Sequence, residues 1–144
     1  ASLPTVLAVT ILPYLLPDLL KCLLAAKPVV EKEGVTLIVE PLNNIDRVGY
    51  SMPYATPVFE LLKKVDSPNI KMLYDIYHQN MMGDFDMEFV KENIDFIGHF
   101  HVADCPGRHE PGTGKVDYVS VIKEILSSNF SHPSRWLFCA QNTM

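Results

Sequence analysis

Three short runs limit what this chain can become: VTLIVE ending at Glu40, IKMLYD ending at Asp75, and the stretch from Ile94 to Ala103 that contains HFHVA. Each is nearly continuous in β-prone apolar residues, the pattern of a strand covered on both faces in a parallel sheet flanked by helices. Polar turn residues follow each run, and the stretches between them carry apolar residues at helical spacing. The resulting alternation of strand and helix, with a period of roughly 30 residues, is the βα repeat of a parallel sheet or barrel.

Taken in order, Val6 to Leu12 is β-branched enough for a strand, which Pro13 ends. From Asp18 to Lys32, residues Leu19, Leu20, Leu23, Leu24 and Val30 form an apolar helical stripe, with Pro28 expected to kink it and Gly34 to stop it. Thr56 and Pro57 suggest a cap and a first helical position, after which Phe59, Leu62 and Val65 face a core. The residues IYHQNMMG after Asp75 read as a loop leading to a short helix, Met87 to Asn93, capped by Asp86. Asp117 caps a further helix, Tyr118 to Ser128, with Val121, Ile122 and Ile125 inward, and Trp136 to Cys139 reads as a last strand. Nothing resembles a linker or a low-complexity tract, so residues 1–144 are expected to form one domain.

In parallel α/β sheets, ligands bind at the C-terminal ends of the strands. Glu40 and Asp75 close their runs, and His99 and His101 share one face of the third because strand side chains alternate. Glu40, Asp75 and His101 are separated by 35 and 26 residues, close to one βα unit each. Three consecutive units therefore present carboxylate, carboxylate and imidazole toward one rim. That mixed oxygen and nitrogen set suits a divalent metal, Mg, Mn or Co, with Zn also compatible. Any one of these groups alone would read as a hydrogen-bonded strand end; three in step favour a ligand set. His78, for which a solvated imidazole competes, and Arg108, for which a surface ion pair competes, lie beside the same rim. His99 is expected to be a packed core residue one layer below His101, and His109 and Glu110 to serve the loop and solvent. Asp46 and Asp104 are assigned no role.

The 144 residues are 48% apolar, enough for one modest core. A formal charge of −5 without a basic run argues against nucleic acid as a partner. Cys22, Cys105 and Cys139 are odd in number, far apart and outside any CxxC, so reduced thiols are expected. Residues 1–17 carry no charge, but Pro4, Pro13 and Pro17 interrupt them short of the roughly 20 apolar residues that span a bilayer. No membrane anchor or targeting signal is read, and a cytoplasmic location is expected by default. The absence of an initiating Met suggests a cut N-terminus.

The strings EPLN at 40–43, YDIYH at 74–78 and HFHVADCPGRHEPGTG at 99–114 resemble the hydroxypyruvate isomerase family, within the xylose-isomerase-like TIM barrels that include the tagatose 3-epimerases. Matching runs cover about residues 18 to 130. The resemblance implies an α/β fold: a partial TIM (β/α)8 barrel with parallel strands corresponding to about strands 5 to 8 and flanking helices. Residues 1–17 are an atypical N-terminal segment and 131–144 a divergent final strand. It further implies that Glu40 is metal ligand and proton-transfer base, that Asp75 and His101 are metal ligands, and that His78 and Arg108 contact substrate oxygens. The activity implied is interconversion of hydroxypyruvate and tartronate semialdehyde (2-hydroxy-3-oxopropanoate), so the partner expected is a small hydroxy-keto acid.

Two departures keep other readings open. A full barrel takes roughly 250 residues, and the family's first three βα units are absent. A second glutamate expected at the end of strand 8 is missing where the chain reads Ala140 and Gln141, and an amide cannot take up a proton near neutral pH. A truncated or non-catalytic metal-binding relative, and a ketose 3-epimerase, are the alternatives. An endonuclease IV-like phosphodiesterase is disfavoured by the acidic charge and by missing metal ligands. Half a barrel would expose sheet edges, so homo-oligomerisation through them is expected.

Overall fold

The computed structural model describes residues 16–128 together with the backbone of 6–9 and 136–138. Five parallel strands, β1 (Val6–Val9), β2 (Thr36–Val39), β3 (Ile70–Asp75), β4 (Ile97–Val102) and β5 (Trp136–Phe138), lie side by side in chain order. The helices are α1 (Leu16–Glu33), α2 (Ala55–Val65), α3 (Ile76–Met81), α4 (Met87–Glu92) and α5 (Tyr118–Ser127), with one 3₁₀ turn at Ile94–Phe96. This is the α/β architecture of a partial barrel, and β1 falls within the strand expected from Val6 to Leu12. Among the described residues β1 and β5 each have a single strand neighbour.

Local chemistry accounts for the element ends. α1 runs through Pro28 to Glu33 and stops where Gly34 adopts φ +64°, as its position requires. Asp86 and Asp117 cap α4 and α5 by accepting backbone N–H bonds from Glu88 and from Ser120. The cap expected at Thr56 is not found: α2 begins at Ala55, whose N–H donates to the side-chain oxygen of Gln79 at 3.1 Å. A tertiary acceptor does the work that a local hydroxyl would otherwise do, and Pro57 still falls in the first turn, where its missing N–H costs nothing.

Strand burial follows the apolar runs. Leu37 and Val39, Met72 and Tyr74, and Ile97, Phe100 and Val102 pack against the helices, where they meet Val58, Phe59, Leu62 and Val65 of α2 and Ile125 of α5. Each fully buried large side chain stabilises by about 1.5–3 kcal/mol, and Phe59 adds an edge-on contact with Phe89 at 4.9 Å between centroids. The apolar stripe of α1 is narrower than its sequence suggests: Leu19, Leu23 and Val30 are buried, while Leu24 is exposed.

Candidate functional site

β3 ends at Asp75, and the same residue opens α3 as its N-cap. Its Oδ1 accepts the backbone N–H groups of Tyr77 (2.8 Å) and His78 (3.2 Å). Oδ2 is thereby turned into the site, 3.6 Å from each of His78 Nε2, His101 Nδ1 and Arg108 Nη2. The residues after Asp75, expected as a loop, are thus a short helix. Burial would raise the Asp75 pKa, but the hydrogen bond and charge of His101 and the backbone N–H of His78 hold it below the usual carboxylate value, so it is ionised at neutral pH.

Glu40 lies one residue beyond β2, and its backbone carbonyl accepts the Tyr50 hydroxyl at 2.8 Å. Its Oε1 is 3.5 Å from His101 Nδ1. The imidazole of His101 therefore faces both carboxylates through one nitrogen. Burial alone would lower its pKa, yet the hydrogen bonds and charges of Asp75 and Glu40 raise it to about 9. Two carboxylates that hold a proton this firmly on a ring nitrogen form a site that prefers a cation.

His78 differs. Its Nδ1 accepts the backbone N–H of Asn43 at 3.2 Å and lies 2.6 Å from the Asn43 side-chain nitrogen. An amide N–H can only donate, so Nδ1 is unprotonated and a neutral His78 carries its proton on Nε2, which looks into the site. Burial, aided by the Arg108 charge, lowers its pKa against the pull of Asp75, Glu40 and Asp46, which favours the neutral ring. Ligand atoms of Glu40, Asp75 and His78 lie within 4.8 Å of one another, so distance alone also admits this set. Coordination through Nε2 would move the proton to Nδ1 and set it against the Asn43 N–H. His101 Nδ1, 3.5 Å from Glu40 and 3.6 Å from Asp75, offers a second arrangement of two carboxylates and one imidazole.

Arg108 sits at φ +58°, with its guanidinium carbon 5.1 Å from the centre of the Tyr77 ring and Nη2 3.4 Å from His78 Nε2. The loop that places it is organised by Asp104, which is fully buried. The Asp104 carboxylate accepts backbone N–H bonds from Cys105 (2.9 Å), Gly112 (2.8 Å) and Val116 (3.1 Å), and its carbonyl accepts the Arg108 N–H at 3.0 Å. Burial would raise the Asp104 pKa, but the backbone donors of Gly114, Val116, Cys105 and Gly112 keep it low. A Cβ on Gly114 would collide with this carboxylate, so the loop closes only around glycine there.

The structure brings Glu40, Asp75, His78, His101 and Arg108 together at the strand tips. His99 is partly exposed, where a packed core position was expected, with its ring edge-on to His101 at 5.2 Å. Asp46, assigned no role from sequence, accepts the Tyr77 hydroxyl (2.8 Å) and the Asn43 amide (3.0 Å). Asn43 escapes sequence reasoning as well, because an Asn after a strand reads as a turn former; its buried Oδ1 does accept the N–H groups of Ile45 and Asp46, while its backbone N–H reaches the histidine. Asp104 has a legible signal, an Asp directly ahead of a Pro/Gly-rich loop. Gln141 and Cys139 lie outside the described residues.

Residues 15–139 match the xylose isomerase-like TIM barrel family, and the chain belongs to it. Among curated relatives, hydroxypyruvate isomerase from Escherichia coli K12 is 34% identical over 108 residues, covering 75% of this chain and 41% of that protein. The 2-oxo-tetronate isomerase of Cupriavidus necator is 38% identical over 87 residues, covering 60% of this chain and 33% of that protein. The chain thus spans about two-fifths or less of these relatives' length. Among solved structures, AP endonuclease, family 2 from Brucella melitensis superposes with a TM-score of 0.75 at 28% identity, over 85% of this chain and 46% of that one. The E. coli 3-keto-D-glucoside 4-epimerase superposes with a TM-score of 0.75 over 96% of this chain and 57% of that one, at 19% identity, which speaks for the fold alone.

Proposed function

We propose that this chain supplies the catalytic rim of an isomerase that interconverts hydroxypyruvate and tartronate semialdehyde, with Glu40, Asp75 and His101 holding a divalent cation. The convergence of His101 Nδ1 on Glu40 and Asp75, at 3.5 and 3.6 Å, carries this reading. Relatives named as hydroxypyruvate isomerase and as 2-oxo-tetronate isomerase support the hydroxy-keto acid class. When bound, a divalent ion supplies Lewis-acid stabilisation of the enediolate that forms when a weak C–H acid is deprotonated.

The remaining steps belong to side chains of this chain. Arg108, already turned over Tyr77 toward the rim, holds the substrate carboxylate in a two-point grip that lysine would not reproduce. His78, whose Nε2–H is fixed by the Asn43 contact on the other nitrogen, donates to the carbonyl oxygen as negative charge develops on it. Glu40 removes a proton from the CH₂OH carbon of hydroxypyruvate, the carbon–carbon double bond of the enediolate forms, and Glu40 returns the proton to the former carbonyl carbon. The hydroxyl proton moves to the oxygen beside His78, which leaves an aldehyde and a secondary alcohol.

The test is turnover of hydroxypyruvate by the purified chain with Mn²⁺, followed by NMR in D₂O. Deuterium incorporation at the substrate carbon that depends on Glu40 is expected. No exchange, or exchange equal in Glu40→Gln, contradicts the reading.

A further inference from the structure

We infer that Gly98 is a positioning residue for the site, acting through a one-residue bulge that decides which face of β4 carries the histidines. Along the β3–β4 ladder Met72 faces Ile97, but the next residue, Leu73, faces His99, so β4 spends two residues where β3 spends one and Gly98 is the extra one. Below the bulge, Ile97 packs in the helix-facing core; above it, Phe100 and Val102 do, while His99 and His101 stand level with Leu73 and Asp75 on the opposite face.

Removing the bulge from this ladder inverts the upper strand. With Ile97 still opposite Met72, Leu73 would face Gly98, Tyr74 would face His99 and Asp75 would face Phe100. Because side chains alternate, a slip of one residue moves the whole set to the other face. His101 would enter the helix layer and Phe100 would take its place beside Asp75. The cradle thus depends on an insertion of one residue, three positions before the imidazole it aims.

Only glycine fits this insertion. A Cβ at position 98 would lie 2.7 Å from Lys71 Cβ, 3.2 Å from Lys71 Cγ and 3.5 Å from Ile38 Cγ2. Lys71 Cβ is fixed to the β3 backbone, so the clash is relieved only by parting the strands or by expelling the bulge. Lys71 is itself held at its far end, Nζ donating to the Asp95 carbonyl at 2.6 Å.

The inference rests on the metal reading for its consequence but not for its geometry, and the experiment separates the two. Gly98→Ala, Lys71→Gly and the double variant are compared with the parent by Mn²⁺ titration, and, without metal, by the NMR shifts of the His101 imidazole with Asp75→Ala as the reference for a lost contact. Gly98→Ala is expected to weaken Mn²⁺ binding by ~10-fold or more, the scale of a lost supporting group, and to move the His101 signal toward its position in Asp75→Ala. Lys71→Gly, which removes the obstructing Cβ, restores both in the double variant. An unmoved His101 signal in Gly98→Ala, or a double variant that fails to fold or keeps His101 displaced, overturns the inference. A parent that shows the expected His101 shifts but binds no Mn²⁺ removes the metal reading and leaves the bulge standing.

Discussion

At the scale of single residues, the chemistry turns on two histidines that look alike in sequence and are set apart by their partners. His101 faces two carboxylates through one nitrogen, whereas His78 has one nitrogen committed to a backbone N–H. His101 therefore favours its charged form in the metal-free protein. Its folded pKa, about 9, lies above its ordinary value of 6.5, so the stability it contributes is fully present below about pH 6.5 and is lost as pH rises through about 9. The difference in urea midpoint between the metal-free parent and His101→Gln should shrink across that window; a difference that stays flat contradicts the pairing. For the reaction, Glu40→Gln should lower kcat for hydroxypyruvate by about 10²- to 10⁴-fold, the usual contribution of a positioned base, with the far-ultraviolet circular dichroism unchanged. A loss below about tenfold would remove Glu40 from that role.

At the scale of elements, the loop between β4 and α5 is the least regular part of the site and the most tightly specified. Asp104 accepts the N–H groups of Cys105, Gly112 and Val116, bonds that an amide oxygen would accept more weakly. Asp104→Asn should cost about 1.5–3 kcal/mol in unfolding free energy, and raise KM for hydroxypyruvate more than it lowers kcat because Arg108 loses its fixed seat. Equal KM values would mean that the loop and the arginine are independent. The regular elements are legible in the sequence because continuous apolar runs, the Asp86 and Asp117 caps and the Gly34 stop are local signals. What is not legible depends on distant partners or on a residue with two roles. The start of α2 is set by Gln79, 24 residues away from Ala55, and α3 is hidden because Asp75 reads as a strand-end ligand and not also as a cap. The bulge at Gly98 leaves no local trace, since a glycine inside a strand is compatible with several geometries. That His99 and His101 share a face is legible, because they alternate together wherever the register falls; which face that is depends on the bulge.

At the scale of the whole molecule, the described residues form a five-stranded parallel sheet in which β1 and β5 each lack a second neighbour, in a chain that covers 41% of the E. coli hydroxypyruvate isomerase it resembles. Unpaired strand edges invite pairing with further chains, so the 144-residue polypeptide should self-associate in a concentration-dependent way by light scattering; a monomer across the micromolar to millimolar range would contradict that. No helix among the described residues is long and apolar enough to cross a membrane. The central claim, one cation shared by three adjacent strand tips, is tested most directly by calorimetric titration of Mn²⁺ into the purified chain and its variants. Expected is one saturable site per chain, lost in Asp75→Ala and weakened by about 10-fold or more in His101→Ala. Absence of binding, or binding that survives Asp75→Ala unchanged, would contradict it.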